Sequence, residues 1–588
     1  MRLHPFTPER QIGVVQQVEG LFADVTFSAA TKLPRAHFGE RLARGEVGEF
    51  VVIDVGGAAA FGRLLRVGAM TNSIESLTDE SRRVTVDGRI QLLSTLQLSG
   101  RATRGVLKYP RVGDPVYAAS TEAILTVLDS TVTDSADSAA SVALGRLSVD
   151  ESVEVGVPLG RLFGRHLAIV GATGSGKSWT LAHLAEAVDG HRGKMILIDA
   201  TGEYHTLGER ARHLAFGSTC DEPPGTVLVG IPHHMMRETD RNAFLSPSSG
   251  TQLPKLRDAI RSLRLAHAIK TETHPDAAHL ALIGEDGTIQ KAGREIAEYG
   301  RAARAYTTTM EDPHAPFDLR AVARQIQWEC VWPTTSKAVG CYGDLNYQEI
   351  GYVSTLVSRI NDLVQTPEVM GVIDPSKGTE DALAAIAAWL GDPKAHLLRL
   401  SLRNLTFANH LREIVVNIIG RALLERARNN EFRTVPLVVA IDEAHQFFDV
   451  TVGDEFANTR LNAFDAIAKE GRKYGLTVCV ATQRPGDLPV GVLSQVGMTI
   501  VHRLADGRDR QRVEQAAAEL DHSATRLLPG LVPGEAILMG VDFPVPVSVR
   551  VTPPTARPAS DGPRYENWGE QSTATPKGSG GPSDATKR

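Results

Sequence analysis

The stretch from His166 to Ser178 reads HLAIVGATGSGKS, and it decides the fold. A mostly apolar run comes first, and a turn from Gly171 to Ser178 then matches the pattern G-x-x-x-x-G-K-S. The sequence SWTLAHLAEAV, which continues to Val188, has helical periodicity. A strand, a glycine-rich loop and a helix in this order distinguish a phosphate-binding loop from a chance glycine-rich turn. The stretch therefore predicts a nucleotide site.

The chemistry of this loop explains its composition. Glycines allow the backbone N–H groups to curl around phosphate oxygens, and the positive amino end of the following helix adds to the attraction. We expect Lys177 to reach the outer phosphates and Ser178 to ligate Mg²⁺. The predicted cofactors are ATP and Mg²⁺, and the predicted nucleotide-binding residues are Gly171, Ala172, Thr173, Gly174, Ser175, Gly176, Lys177, Ser178 and Trp179.

A second apolar run, from Leu437 to Ile441, ends in two adjacent carboxylates. We expect Asp442 to hold Mg²⁺ through water and Glu443 to polarise the water that attacks the γ-phosphate. Adjacent acids at a strand end point in different directions, so this division of roles is geometrically sensible. The alternative is a strand that ends in a solvated acidic turn, and the phosphate loop elsewhere in the chain argues against it.

Two further polar positions lie near a third apolar run, which reads LTVCVAT from Leu476 to Thr482. Gln483 follows it and can sense the γ-phosphate or orient water; alternatively, it is a capping or loop residue. Arg472 and Lys473 precede the run, at the end of a predicted helix. They are either favourable charges at a helix carboxyl end or, for Arg472, an arginine finger donated to a neighbouring subunit.

Apolar runs that alternate with helices predict an α/β fold with a parallel sheet. Short β-branched runs near the amino terminus, broken by glycine, predict a small closed β-barrel. Apolar residues at every third or fourth position predict a helical insertion between the two halves of the sheet. We expect a barrel at 8–120, a linker and entry to the motor at 121–158, motor halves at 159–239 and 391–552, the insertion at 240–390 and a disordered tail at 553–588.

Composition excludes several other classes of protein. The 588 residues carry a net charge of −6, which argues against a chain that coats nucleic acid through its bulk charge. No stretch of 18 or more apolar residues occurs, so we expect no transmembrane helix. The four cysteines lie far apart and predict reduced thiols, which indicates a cytoplasmic protein.

The order of these motifs resembles the HerA branch of the HerA/FtsK hexameric translocases. The resemblance rests on the P-loop stretch, on DATGEY at 199–204, IDEAH at 441–445, EGRKYG at 470–475 and TQRP at 482–485. The runs GEFVVI at 48–53 and PRVGDPV at 110–116 resemble the small barrel of HerA proteins, and LPGLVPGEAIL at 528–538 resembles the end of their motor domain. The likeness extends over residues 8 to 550.

This resemblance implies a RecA-like P-loop ATPase that forms a homohexameric ring around double-stranded DNA, with ATP bound between subunits. It implies that Arg472 is the trans-acting arginine, that Gln483 is the sensor and that Asp199 and Glu203 are the acidic pair after the second strand. Glu203 then either positions the catalytic water or holds the DATGEY turn in shape. Arg503 and Arg508 are interpreted as surface charges, with an interface role as the alternative.

DNA contact is carried by the resemblance more than by the residues. The candidate pore loops, 446–460 and 484–497, contain one arginine each, Arg460 and Arg484. The resemblance also implies an effector, either a nuclease or a sirtuin-like NAD-consuming enzyme, in DNA end processing or, for a bacterial protein, anti-phage defence. One alternative is a ring scaffold that activates an effector and uses ATP as a switch. A second is a secretion or conjugation coupling ATPase, against which the lack of a membrane anchor counts.

Overall fold

The structure is a computed structural model with two principal units, an amino-terminal barrel and a large sheet covered by helices. It describes residues 4–27, 36–37, 40–41, 46–71, 84–129, 140–334, 339–376, 378–454, 457–516, 522–541, 543 and 545–560. Within these residues, no helix is long and apolar enough to cross a membrane.

Six antiparallel strands close the barrel. They run in the order β2-β1-β9-β5-β6-β7, and β2 pairs with β7 to complete the ring, while β8 extends from β7. The strands of this region are β1 (Gln11–Glu19), β2 (Phe22–Phe27), β3 (Ala36–His37), β4 (Glu40–Arg41), β5 (Phe50–Asp54), β6 (Ala58–Thr71), β7 (Val84–Gln97), β8 (Arg101–Arg104) and β9 (Pro115–Ala118). The predicted closed barrel is confirmed.

Alternation along the barrel strands explains why the barrel closes. In β2, every second residue is fully buried, as expected for a strand with one face on a core. The barrel interior contains Ile12, Val25, Ile53, Leu64 and Ile90. Other barrel residues, including Phe50 and Phe61, belong to a cluster shared with the large sheet, so the two units pack against each other.

The large sheet has thirteen strands, in the order β11-β10-β24-β23-β22-β12-β21-β18-β13-β17-β14-β15-β16. The nine strands from β22 to β16 are parallel, and the other four add to one side in antiparallel fashion. The strands are β10 (Ser141–Leu147), β11 (Asp150–Pro158), β12 (His166–Val170), β13 (Lys194–Asp199), β14 (Ala211–Phe216), β15 (Val227–Gly230), β16 (Glu380–Asp381), β17 (Leu397–Ser401), β18 (Leu437–Ile441), β21 (Leu476–Thr482), β22 (Val496–His502), β23 (Glu535–Met539) and β24 (Val547–Val551). A separate hairpin after β18 contains β19 (Val450–Asp454) and β20 (Ala457–Leu461).

The central strands are buried at every residue, which is why they lack alternation in the sequence. Helices cover both faces and connect the parallel strands. They are α1 (Thr121–Asp129), α2 (Leu159–Phe163), α3 (Lys177–Gly190), α4 (Glu238–Leu245), α5 (Gln252–Thr271), α6 (Ala277–Leu280), α7 (Ile296–Ala305), α8 (Thr307–Glu311), α9 (Val322–Trp328), α10 (Tyr347–Val364), α11 (Pro367–Ile373), α12 (Ala382–Gly391), α13 (Leu411–Arg428), α14 (Ala463–Glu470), α15 (Val490–Leu493), α16 (Gly507–Ala516) and α17 (His522–Leu527).

The helical insertion lies on one face of the sheet. Leu256 of α5 and Leu356 of α10 share a core cluster with Ile196 and Ile198 of β13. A smaller cluster farther out includes Leu265, Ile269 and Met310. The insertion is therefore anchored to the motor through α5 and α10.

Two segments differ from the sequence interpretation. Residues 141–158, assigned to the linker and entry to the motor, are not irregular but form β10 and β11, because buried side chains alternate with more exposed ones along most of each strand and β24 pairs with β10. Residues 553–560, assigned to the tail, lie on α3 through specific contacts. The linker residues 130–139 and the tail residues 561–588 lie outside the described residues.

Candidate ATP site

The candidate site forms where the central parallel strands end. Because these strands are parallel neighbours in the order β22-β12-β21-β18-β13, the residues that follow them meet at one edge of the sheet. The P-loop follows β12, Asp442 and Glu443 follow β18, and Gln483 follows β21. The topology therefore brings motifs from distant parts of the sequence together, at the edge where open α/β sheets bind their ligands.

The P-loop has the backbone shape that its sequence predicts. Gly174 and Gly176 have φ angles of +70° and +117°, which favour glycine. The Lys177 ammonium donates to the Ala172 carbonyl at 3.1 Å, and the Ser175 hydroxyl donates to the same oxygen at 2.6 Å. Lys177 therefore folds back over the loop, where the phosphates of a nucleotide would lie.

A buried histidine, His502 at the end of β22, packs against the P-loop. A Cβ on Gly171 would lie 2.6 Å from the His502 Cβ, so this close approach requires glycine. Burial lowers the pKa of His502 to about 4, and the ring is therefore neutral. Its Nδ1 bonds the Glu535 carbonyl at 2.8 Å, and the Thr180 hydroxyl lies 2.8 Å from Nε2. These partners fix the tautomer, with Nδ1 as donor and Nε2 as acceptor.

Backbone groups just after β22 and just before β23 also hold the loop. The Ala172 N–H donates to the Arg503 carbonyl at 2.8 Å, and the Gly534 N–H donates to the Ser175 carbonyl at 3.0 Å. Sequence reasoning missed both His502 and Gly534. In the sequence, His502 only ends an apolar strand and Gly534 only precedes one. Which strands lie next to each other in the sheet cannot be assigned from one sequence.

Asp442 and Glu443 take up different environments, as predicted for two different roles. Asp442 is buried, and burial together with Asp199, Glu443 and Glu203 raises the pKa of its carboxyl well above the ordinary value. Glu443 has φ +49°, a left-handed conformation that turns its side chain away from the strand direction. The strain of this conformation is typical of functional positions.

A chain of hydrogen bonds joins Glu443 to the P-loop through Gln483. The Thr173 hydroxyl donates to Gln483 Oε1 at 2.5 Å, and Gln483 Nε2 donates to Glu443 Oε1 at 3.0 Å. His445 Nδ1 lies 3.3 Å from the other Glu443 oxygen. Gln483 thereby orients Oε1 of Glu443 and bridges the two sides of the site, while Oε2 accepts no hydrogen bond. This arrangement favours the sensor interpretation of Gln483 over a loop cap.

Glu203 points into the site, whereas Asp199 does not. The pKa of Glu203 is raised by burial and by Asp199 and Glu443, and a hydrogen bond from Ser178 partly opposes this shift. Asp199 is fully buried and accepts backbone N–H groups from Gly202, Glu203 and Tyr204 at 2.7, 3.2 and 3.1 Å. Asp199 therefore shapes the turn, while Glu203 presents its carboxylate to the nucleotide side.

Arg399 of β17, which the sequence analysis did not identify, holds this turn from inside. It is fully buried and donates to Asp199 Oδ2 and to Glu222 Oε2, both at 2.6 Å. The Ser401 hydroxyl donates to the other Glu222 oxygen at 2.5 Å. One buried cation between two carboxylates is stable only because each partner is hydrogen-bonded.

The site has the charge distribution that Mg²⁺ with ATP requires. Buried oxygens of Glu203 and Glu443, both Oε2, accept no hydrogen bond. Burial lowers the pKa of Lys177, and the nearby Glu443, Asp442 and Glu203 partly offset that shift. Among the described residues, no group of three His, Cys, Asp or Glu side chains could hold a metal alone. These residues fit an ion bound through Ser178, water and the phosphates, as is usual for Mg²⁺.

Arg472 lies at the opposite edge of the sheet. It precedes β21 and lies near His166, whose pKa is lowered by burial and, to a smaller extent, by the Arg472 charge. His166 begins β12, and the P-loop follows the end of that strand. Five residues of strand separate the two edges by roughly 16 Å. Arg472 and Lys473 are exposed there, so neither can serve the nucleotide of its own subunit.

The remaining candidates occupy more varied positions. Trp179 is half-buried in the first turn of α3, with the Arg557 guanidinium 5.4 Å from its ring centroid. Arg503 is exposed beside the P-loop, and Arg508 is exposed in α16. In the candidate DNA loops, Arg460 pairs with Asp449, and Arg484 lies 3.8 Å from Asp487.

Comparison with known proteins finds one family model and several relatives that this chain is similar to. A family model described as the central domain of helicase HerA matches residues 142–296. A probable DNA double-strand break repair helicase HerA of Methanocaldococcus jannaschii is 24% identical over 69% of this chain and 75% of its own length. The DNA double-strand break repair helicase HerA of Pyrococcus furiosus is 23% identical over 78% of this chain and 77% of its own. The solved structure of VirB4 of Thermoanaerobacter pseudethanolicus has a TM-score of 0.39 at 14% identity, over 71% of this chain and 98% of that one.

Proposed function

We infer that this chain, which belongs to the HerA-type P-loop ATPases, couples ATP hydrolysis to movement along double-stranded DNA. The observation that carries this proposal is the continuous chain from Thr173 through Gln483 to Glu443. This chain of hydrogen bonds joins the phosphate loop to the general base, so loss of the γ-phosphate would change contacts at the ends of two strands of the sheet. Such a connection suits a motor, in which hydrolysis must move protein elements.

The geometry supports the following roles within the site. Lys177 would bind the outer phosphates, while Ser178 and Asp442 would hold Mg²⁺, which would supply positive charge against the charge that develops on the phosphates. Glu443 accepts a proton from the attacking water, and Gln483 holds the Glu443 carboxylate in place. Glu203 lies on the same side of the site as Glu443, and its unpartnered oxygen is available to the same attacking water.

We propose a homohexamer with the ATP sites at subunit interfaces. Arg472 supports this arrangement, because it is exposed at the edge opposite its own P-loop and can act only on a neighbour. The DNA substrate is inferred from relatives named as DNA double-strand break repair helicases. The paired state of Arg460 and Arg484 means that contacts to phosphate would be few per subunit and would add over six copies.

An effector enzyme is part of this proposal. We expect a nuclease or a sirtuin-like NAD-consuming enzyme to dock on the barrel, with DNA end processing or anti-phage defence in the cytoplasm as the setting. The barrel suits docking because it forms a separate closed unit beside the motor.

The test is ATP turnover of the purified protein with and without linear duplex DNA at moderate salt. A DNA translocase should hydrolyse ATP several-fold faster with duplex, and the stimulation should weaken as salt rises. Glu443→Gln is the control, since its turnover should stay low with or without DNA. Turnover that ignores DNA at every salt concentration would contradict translocation and favour a ring scaffold that uses ATP as a switch.

A further inference from the structure

The segment that follows β24, residues 553–560, reads PPTARPAS and is here called the strap. It runs along α3, the helix that begins with Lys177. The backbone N–H groups of Thr555 and Ala556 donate to the two oxygens of the Glu186 carboxylate at 2.9 and 2.7 Å. An ionised carboxylate that accepts two consecutive N–H groups is a strong anchor. The strap is therefore fixed to the middle of α3.

Two further contacts carry the strap to the ATP site. The Arg557 guanidinium lies 5.4 Å from the centroid of Trp179, the residue next to the magnesium ligand Ser178. The Ala559 N–H donates to the Glu203 carbonyl at 2.9 Å. The strap thus connects the P-loop helix to the turn that presents the Glu203 carboxylate.

The prolines of the strap reduce the conformational entropy that is lost when it becomes ordered. Three of its eight residues are prolines, and Pro554 and Pro558 are buried. Proline restricts the unfolded chain, so less conformational entropy is lost when the segment takes up an extended path. The composition that predicts a disordered tail also suits an extended segment with a few anchoring bonds.

We propose that the strap is a positioning element of the ATP site. It holds the backbone carbonyl of Glu203 through the hydrogen bond from the Ala559 N–H. The buried Asp199 carboxylate holds the same turn by accepting three backbone N–H groups. Between these two attachments, the Glu203 carboxylate lies against Ser178 with one oxygen unpartnered. The inference rests on the proposed role of Glu203 in hydrolysis, and it does not depend on DNA.

The experiment compares two shortened chains with the full protein, with basal ATP turnover measured without DNA. A chain that ends after Ser560 keeps the strap and should match the full chain. A chain that ends after Thr552 retains all of β24 but lacks the strap, and its kcat should fall about 10-fold, because small misplacement of a reacting group is costly. Its Kd for ATP should change less than about 2-fold, since the P-loop contacts remain.

A double-mutant cycle separates positioning from general support. In a Glu203→Gln background, loss of the strap should cause no further fall in kcat, because both changes act through one residue. A fall of the same size in both backgrounds would overturn the proposal, as would full activity without the strap. An unchanged kcat in Glu203→Gln alone would overturn it too.

A point variant covers the case in which the shortened chain folds poorly. Glu186→Ala removes the acceptor for Thr555 and Ala556, and it also removes an ion pair with Arg210 at 3.2 Å. Arg210→Ala is the matched control, since it breaks the same ion pair but leaves the strap bonds. Lower kcat in Glu186→Ala than in Arg210→Ala supports the strap, and equal values contradict it. DNA stimulation is scored separately, so failure of translocation leaves this result intact.

Discussion

At the scale of single residues, the site depends on hydrogen bonds that hold Gln483 and Glu443 in one orientation. Gln483 uses its carbonyl for Thr173 and its amide for Glu443, so it cannot rotate without breaking one of these bonds. Glu443 has one oxygen held by Gln483 and the other 3.3 Å from His445. Preorganisation of this kind lets a general base act on a bound water without reorganising during the reaction.

Glu443→Gln tests the general base directly. The amide keeps the shape of the side chain but cannot accept the proton, so kcat should fall by about 10² to 10⁴-fold. Binding of ATP should persist, because Lys177 and the P-loop are untouched. Steady-state turnover and equilibrium binding of a fluorescent ATP analogue measure the two quantities. Glu431→Gln, at an exposed ion pair with Arg426, is the control. Near-normal turnover in Glu443→Gln would remove Glu443 from this role.

His502 predicts a pH dependence of stability. Burial lowers its pKa to about 4 in the folded protein, against 6.5 for an ordinary histidine, so between these values only the unfolded chain binds the proton. The stability that neutral His502 confers is complete above pH 6.5 and is lost as pH falls toward 4. The whole contribution is about 3 kcal/mol.

His502→Gln should weaken this dependence, because glutamine does not titrate. We expect the fall in Tm between pH 7.5 and pH 5 to be smaller in the variant than in the parent protein, as measured by scanning calorimetry without nucleotide. The exposed His191→Gln variant should behave like the parent. Identical pH slopes in His502→Gln and the parent would contradict the assignment.

At the scale of elements, the carboxyl ends of β13 and β17 are tied together by buried charge. Arg399 on β17 bonds Asp199 at the end of β13, and Asp199 in turn organises the turn that contains Glu203. The position of Asp199 at the end of β13 thus determines where the Glu203 side chain is placed four residues later. Removal of the cation would leave the buried carboxylates of Asp199 and Glu222 without the positive charge that pairs with both.

Arg399→Gln should therefore destabilise the protein strongly, by about 3–5 kcal/mol, as breaking a buried ion pair usually does. We expect a clear decrease in Tm and in ATP turnover, measured by calorimetry and a phosphate-release assay. Arg403→Gln is the control, since its pair with Asp221 at 3.9 Å is exposed and should contribute little. Similar Tm values for the two variants would show that the buried network is not stabilising.

At the scale of the whole molecule, the proposed hexamer would complete the ATP site with a residue from a second subunit. Arg472 lies at the edge of the sheet opposite its own P-loop, so any contribution to catalysis must be made to a neighbouring subunit. We expect Arg472→Ala to lose about 10³-fold or more in kcat with ATP affinity retained. Turnover and nucleotide binding of the purified variant measure both, and Lys469→Ala on the adjoining helix is the control.

A mixing experiment distinguishes a neighbour's arginine from a helix-end charge. Lys177→Ala subunits lack a working P-loop but keep Arg472, so in mixed rings they should restore hydrolysis at the sites of Arg472→Ala subunits. Turnover of the mixture should exceed that of either variant alone. Absence of this rescue, with mixed rings verified by mass spectrometry, would favour the helix-end interpretation.

The sequence by itself determined the fold class and most of the nucleotide site. The signal for the P-loop glycines, Lys177 and Ser178 is local, because a phosphate loop is built from consecutive backbone groups and its glycines permit the conformations that it needs. Asp442 and Gln483 were also predictable, since each directly follows an apolar strand and parallel strands end at the same edge. The barrel was predicted from short β-branched runs broken by glycine.

Only the tertiary structure decided which groups support that site. His502, Arg399 and the strap lie far from the P-loop in sequence. They reach the candidate site because β22, β17 and β24 belong to the same sheet. Their residue types carry no signal, since a buried histidine, a strand arginine and a proline-rich segment occur for many reasons. Pairing of distant strands depends on the packing of the whole sheet, and that packing gives each of these residues its partner.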